Sequence, residues 1–207
     1  MRVMFMAQSL RGAAATDYGF DVRLIVGRRS AARSGCAAMT YTTHAPHLTV
    51  DGEPHWYGNS LFEFLVPAAA TGGALSVFRA TMPEGFSPPR HIHTREDEVF
   101  LVEDGEALFD VDGRILTAGP GTTVFMPRGV PHTFRVQSPV ARMLGVMTPG
   151  GFEELFRNLG TPAAARLLPR DGEVPFDVRA VMAEQERLGT QVVGPPLVLP
   201  TASSSRA

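Results

Sequence analysis

A single cysteine, Cys36, occurs in the 207 residues. One thiol cannot form an intrachain disulfide or a Cys-based zinc site, and Cys36 lies far from the motifs described below. Lysine is absent, so all 19 basic residues are arginine. That excludes Schiff-base chemistry and a P-loop, both of which need a lysine amine. Abundant Ala, Gly, Pro and Arg suggest a GC-rich genome as the origin of the missing lysine. The formal charge of −2 provides no electrostatic basis for binding nucleic acid. No apolar run approaches the roughly 20 residues needed to cross a bilayer. These absences leave a cytoplasmic protein without nucleic-acid or membrane partners as the expectation. The length fits one domain with tails.

Residues 1–38 differ in texture from the rest. They hold Arg2, Arg11, Arg23, Arg28, Arg29 and Arg33 against Asp17 and Asp21, among many small residues. Arg28-Arg29 and Ser34-Gly35-Cys36 invite a secretion reading. A signal needs an apolar stretch of roughly 7–15 residues beside the arginines, and residues 30–38 are too polar to supply one. The expectation is a disordered extension, because ordering it costs backbone entropy with little apolar burial to offset that cost. Met39 opens a different composition and is a candidate initiator.

His91 and His93 stand one residue apart, Glu98 follows, and His132 comes later. On a strand, residues i and i+2 share a face, so the first two imidazoles would aim at one point. A short break brings Glu98 within reach, and His132 belongs to a second element bounded by its own Gly and Pro. Three imidazoles and a carboxylate form a mixed N/O donor set. It suits one divalent transition metal: iron, manganese, nickel, cobalt, copper or zinc.

The flanking sequence predicts short antiparallel strands. Residues 61–66, 74–82, 98–103, 122–126, 132–136 and 142–147 read as strands, and Asp112-Gly113 marks a hairpin between apolar runs. Eight or nine such strands suit an all-β jelly roll, the double-stranded β-helix. After Gly150-Gly151 the period changes. Phe152, Leu155, Phe156 and Leu159 fall on one helical face that Gly160 should end. A second helix is expected over 178–188, capped by Asp177 and stopped by Gly189. The domain plan is therefore a disordered extension over 1–38, a barrel with its first helix over 39–160, a helical segment over 161–200, and a disordered tail over 201–207. The two helical faces should cover one barrel opening or a dimer surface.

The stretch from Gly85 to Gly105 spells G-x5-H-x-H-x4-E-x6-G, and Gly121 to His132 spells G-x5-P-x-G-x2-H. Here the sequence resembles the cupin superfamily over roughly residues 56–147. Within it, Gly72-Gly73, the His-x-His-x4-Glu stretch and Thr148-Pro-Gly-Gly-Phe-Glu-Glu-Leu-Phe156 are similar to small single-domain proteins of the quercetin 2,3-dioxygenase type. The resemblance implies a single cupin barrel, His91, His93, Glu98 and His132 as metal ligands, Glu98 as catalytic base toward a substrate hydroxyl, dioxygen as co-substrate, and a homodimer.

Strand parity adds the surroundings. With Glu98 inward, Phe100 and Val102 face inward too. With His132 inward, so do Phe134 and Val136. These four are the candidate substrate pocket, and its apolar, aromatic character suits a hydrophobic or aromatic small molecule. Arg90 and Arg135 have outward parity, which counts against a phosphosugar site. A metal-dependent dioxygenase or related oxidoreductase is the leading expectation. A metal-dependent isomerase, epimerase or lyase and a non-catalytic small-molecule-binding cupin are the alternatives.

Overall fold

The computed structural model describes residues 47–49 and 51–198. The expected extension over 1–38, Met39 and the tail over 201–207 lie outside them. The described chain forms β1 (Glu53–Tyr57), β2 (Ser60–Val66), β3 (Ser76–Pro83), β4 (Pro89–His93), β5 (Asp97–Asp104), β6 (Ala107–Val111), β7 (Arg114–Ala118), β8 (Thr123–Met126), β9 (His132–Val136) and β10 (Val140–Thr148). Helix α1 (Glu154–Leu159), strand β11 (Thr161–Pro162), helix α2 (Val178–Leu188) and strand β12 (Thr190–Pro196) follow.

Seven strands form one sheet in the order β11-β1-β2-β3-β10-β5-β8, and five form a second in the order β12-β4-β9-β6-β7. The strand pairs in both are antiparallel, giving the all-β jelly roll that the strand pattern implied. The inner faces follow from period-2 alternation. In β3, Ser76, Phe78, Ala80 and Met82 are buried while the residues between them are partly exposed. In β5, Glu98, Phe100 and Val102 are buried in the same manner. The core gathers Phe78, Phe109, Met82, Met126, Met143 and Met147 between the sheets. The Asp112-Gly113 turn joins β6 to β7 with Val111 opposite Arg114, as the hairpin signal required.

Twelve strands form among the described residues where eight or nine were expected. The difference of most consequence is β12, because residues 161–200 read as helical. Its sequence, Thr-Gln-Val-Val-Gly-Pro-Pro, carries a glycine and two prolines, which argue against a strand. β12 is nevertheless an edge strand, where a missing N–H is tolerated, and its register shifts around Gly194 absorb the irregularity. It pairs with β4, the strand bearing His91 and His93.

Helix α2 has the expected boundaries. The Asp177 carboxylate accepts from the Arg179 and Ala180 N–H groups, and Gly189 closes the helix at φ 89°. Helix α1 ends for a different reason than its sequence suggested. Gly160 has φ −85°, so no left-handed cap is involved. A Cβ there would lie 2.2 Å from the Phe156 carbonyl oxygen and 2.9 Å from that of Trp56. Both are backbone atoms and cannot swing aside. Gly160→Ala is therefore expected to lower stability by about 1–3 kcal/mol, the usual range for overpacking. Thermal unfolding checks it, and an unchanged midpoint would mean that the backbone yields there.

Candidate metal centre and its cavity

β4 places His91 and His93 on its buried face, as the i, i+2 spacing dictates. β9 lies beside it with His132 directly opposite His91. Residues 94–96 carry the chain over to the other sheet, where β5 begins and buries Glu98. The four side chains therefore meet between the sheets. Each offers a ligand atom, and these atoms lie within 4.8 Å of one another. Metal–ligand bonds of about 2.0–2.2 Å put opposed ligands about 4.0–4.4 Å apart, a few tenths of an ångström from this spread.

The outer nitrogens of the imidazoles are engaged by the protein. His91 Nδ1 donates to the Pro89 carbonyl at 2.7 Å and His132 Nδ1 to that of Val130 at 2.9 Å. His93 Nδ1 lies 3.2 Å from Thr190 Oγ1 on β12 and 3.7 Å from Glu96 Oε2. Holding the Nδ1 proton leaves a lone pair on Nε2, the tautomer suited to a ligand. His93 Nε2 and His132 Nε2 are buried without a hydrogen-bond partner. Both face Glu98 Oε2, at 3.9 and 3.4 Å. Lone pairs aimed at a carboxylate repel it unless a cation or a proton lies between them. The donor chemistry thus fits a divalent metal.

Ionisation agrees. Burial lowers His93 to about 3, and burial with the nearby His132 lowers His91 to about 4. Both imidazoles are neutral near pH 7. Burial opposes charge on Glu98, but the adjacent His132 imidazole, its Nε2 3.4 Å from Oε2, outweighs that and holds the carboxyl below the usual range. His132 moves the opposite way: burial works against its charge, and the Glu98 carboxylate outweighs that. A proton shared by His132 and Glu98 and a bound metal are alternatives for the same space.

Above the cluster lies a cavity of about 350 Å³. His91, His93 and Glu98 form part of its lining, and Tyr57, Phe62, Met82, Phe86 and Phe156 supply apolar and aromatic wall. Phe152 packs edge-on against the His93 ring at 4.3 Å. Of the four candidate pocket residues, Phe100 and Phe134 line the cavity. Val102 and Val136 do not: they are inward as parity required, but 0% and 1% exposed within the core. The Phe100, Phe109 and Phe134 rings, with centroids 5.4–6.2 Å apart, fill the barrel at that level. No arginine lines the cavity among the described residues. Arg90 instead pairs with Asp110, and Arg135 Nη1 donates to the Gly85 carbonyl at 3.2 Å. The C-terminal helices close one side, with Leu155 and Phe156 from α1 and Val178, Val181, Met182 and Gln185 from α2.

Residues 78–147 match the cupin domain family. This chain carries a cupin domain. Two curated relatives share the name quercetin 2,3-dioxygenase. The one from Bacillus subtilis is 27% identical over 146 residues, covering 70% of this chain and 43% of the relative. The one from Aspergillus japonicus is 36% identical over 136 residues, covering 60% of this chain and 36% of the relative. The chain spans less than half the length of either. Among solved structures, an RmlC-like cupin from Shewanella frigidimarina is 21% identical, with 51% of this chain and 93% of that one covered and a TM-score of 0.45. This cupin is thus similar to quercetin 2,3-dioxygenase and holds a His-His-Glu-His group able to bind a metal.

Glu96, Thr190, Tyr57 and Gln185 are not marked by the sequence, and Phe152 is marked only as part of a helical face. Glu96 has the clearest local signal, a carboxylate within the motif itself, but only the fold shows that it is 4% exposed and beside His93. Thr190 and Gln185 reach the site through β12 and α2, and no local pattern marks them.

Proposed function

We propose that this cupin is a metal-dependent dioxygenase acting on an aromatic or otherwise hydrophobic small molecule, with flavonols as the first class to test. The observation that carries this reading is the position of the donor cluster: three imidazoles and a carboxylate line one end of a cavity walled by aromatic rings. Such a cavity takes up an apolar body and orients it by a few polar groups. The relatives named quercetin 2,3-dioxygenase support it, since flavonols are aromatic. A phosphosugar isomerase is disfavoured, because Arg90 and Arg135 are engaged elsewhere.

In this reading His91, His93, Glu98 and His132 hold the metal. When bound, the metal supplies Lewis acidity toward a substrate oxygen and, for redox-active members of the series, electron transfer to dioxygen. The chain does the rest. Phe62, Phe86, Phe100 and Phe134 take up the aromatic body and exclude water, which strengthens every polar interaction at the cluster. Glu98 Oε2 accepts the proton of the substrate hydroxyl. The Glu98 carboxyl is held below the usual range and so is in the ionised form that can take up a proton.

The test is metal analysis of protein purified without added metal, followed by oxygen uptake with quercetin and other hydroxylated aromatics. Stoichiometric metal and metal-dependent oxygen consumption with product formation are expected. Binding of these aromatics without oxygen consumption under any of the six metals would favour the non-catalytic alternative and overturn the dioxygenase reading.

A further inference from the structure

Helix α2 lies along the cavity, and its direction can be read from its two ends. Just past its C-terminal end, the Gly189 carbonyl accepts from Thr94 N at 3.1 Å, and Thr190 reaches His93. Before its N-terminal end, Phe176 packs on Tyr57 with ring centroids 5.4 Å apart and is 51% exposed. Phe176 and Tyr57 also line a second, more polar cavity with Asn59, Arg170 and Asp171. α2 therefore runs from an open mouth toward the donor cluster.

Four residues of α2 line the apolar cavity: Val178, Val181, Met182 and Gln185. They stand at i, i+3, i+4 and i+7, one helical stripe. At 1.5 Å per residue the stripe covers roughly 10 Å, the length of two to three linked rings. Three of its members are apolar. Gln185, nearest the donor cluster, is not. It is 7% exposed, and Leu188, next along the helix, is buried and apolar. Packing alone would place an apolar residue at 185 as well. The Gln185 side chain lines the cavity, and its polar atoms are not among those sealed in the core without a partner. Its carboxamide thus offers two N–H donors and a carbonyl acceptor to a wall that is otherwise apolar.

We infer that Gln185 is the specificity-determining residue of this cavity, its carboxamide hydrogen-bonding one oxygen of an aromatic substrate while another oxygen faces His91, His93, Glu98 and His132. The inference rests on the dioxygenase reading and narrows it to aromatics with at least two oxygens, one for the cluster and one for Gln185. An aromatic with a single oxygen could satisfy the cluster or Gln185, and would leave the other unpaired.

The experiment uses the full chain loaded with zinc(II), which is redox-inert and permits equilibrium binding in air. The probes are 3-hydroxyflavone, with a hydroxyl beside a carbonyl, and 2-phenylnaphthalene, of similar outline and without oxygen. Gln185→Leu is expected to weaken 3-hydroxyflavone about 10–100-fold, because a buried oxygen loses its partner. The same substitution should leave 2-phenylnaphthalene unchanged or tighten it, since the wall becomes more apolar. Zinc content and unfolding midpoint should match the parent. Equal weakening of both probes, or no change in either, overturns the inference and leaves the dioxygenase reading standing. Failure of 3-hydroxyflavone to bind the parent overturns that reading and the inference with it. Should the leucine variant not fold, Gln185→Met, closer to glutamine in outline, takes its place with the same expectations.

Discussion

His93→Ala is expected to abolish metal binding while leaving the fold intact. Metal affinity typically falls roughly 10–100-fold when only a hydrogen-bond partner of a ligand is lost. Loss of the ligand itself should exceed that. His93 Nε2 is buried, lacks a hydrogen-bond partner and faces Glu98 Oε2 at 3.9 Å, so it has no evident structural duty besides the cluster. The imidazole does fill space against Phe152, and its removal leaves a small void. Two measurements separate the effects. Elemental analysis should find stoichiometric metal in the parent and none in the variant. Thermal unfolding with and without metal should show a rise in midpoint for the parent alone, since metal at a thousandfold excess over Kd adds about 4 kcal/mol to the folded state. Full metal content in the variant would mean that His91, Glu98 and His132 do not need His93, and that the four-residue centre is wrong.

Physical reach separates what the sequence discloses from what only the fold shows. His91 and His93 are readable together because strand period is a local property, fixed by the backbone. Helix α2 is readable to the residue because Asp177 and Gly189 satisfy the helix ends with their own atoms. Strand β12 is not readable, because its stability comes from pairing with β4, about a hundred residues earlier, and its Gly and Pro residues point the other way. Thr190 and the end of the Gln185 helix arrive at the site with that strand, so they share its invisibility.

Val102 and Val136 mark a subtler limit. Parity assigns a face correctly, and both valines are inward. Depth along the barrel depends on which rings meet across it. Phe100, Phe109 and Phe134 come from three different strands and pack on one another, while the valines belong to the core and not to the cavity wall. Gly160 shows the same division between local and distant causes. The residue type marks the helix end, but the reason is the approach of the Trp56 and Phe156 carbonyls rather than a left-handed turn.

Glu98→Gln is expected to lose about 10²–10⁴-fold in turnover per bound metal, the scale of a general-base contribution. The substitution keeps the outline of the side chain and one oxygen able to ligate, so part of the metal should remain. It removes the ability to take up a proton. Glu98 is suited to that task by position, being 5% exposed, part of the cavity lining, and 3.4 Å from His132 Nε2. Oxygen uptake and product formation, each normalised to metal content, measure the effect. Normalisation matters, because lower metal occupancy alone would mimic a lost base. Binding of a flavonol without dioxygen gives the complementary reading. If Glu98 accepts the hydroxyl proton, the parent should show the absorption of the ionised flavonol near neutral pH, and the variant that of the neutral form. Unchanged turnover per metal, with the ionised form still present in the variant, would confine Glu98 to holding the metal. The proton would then have to pass to another group.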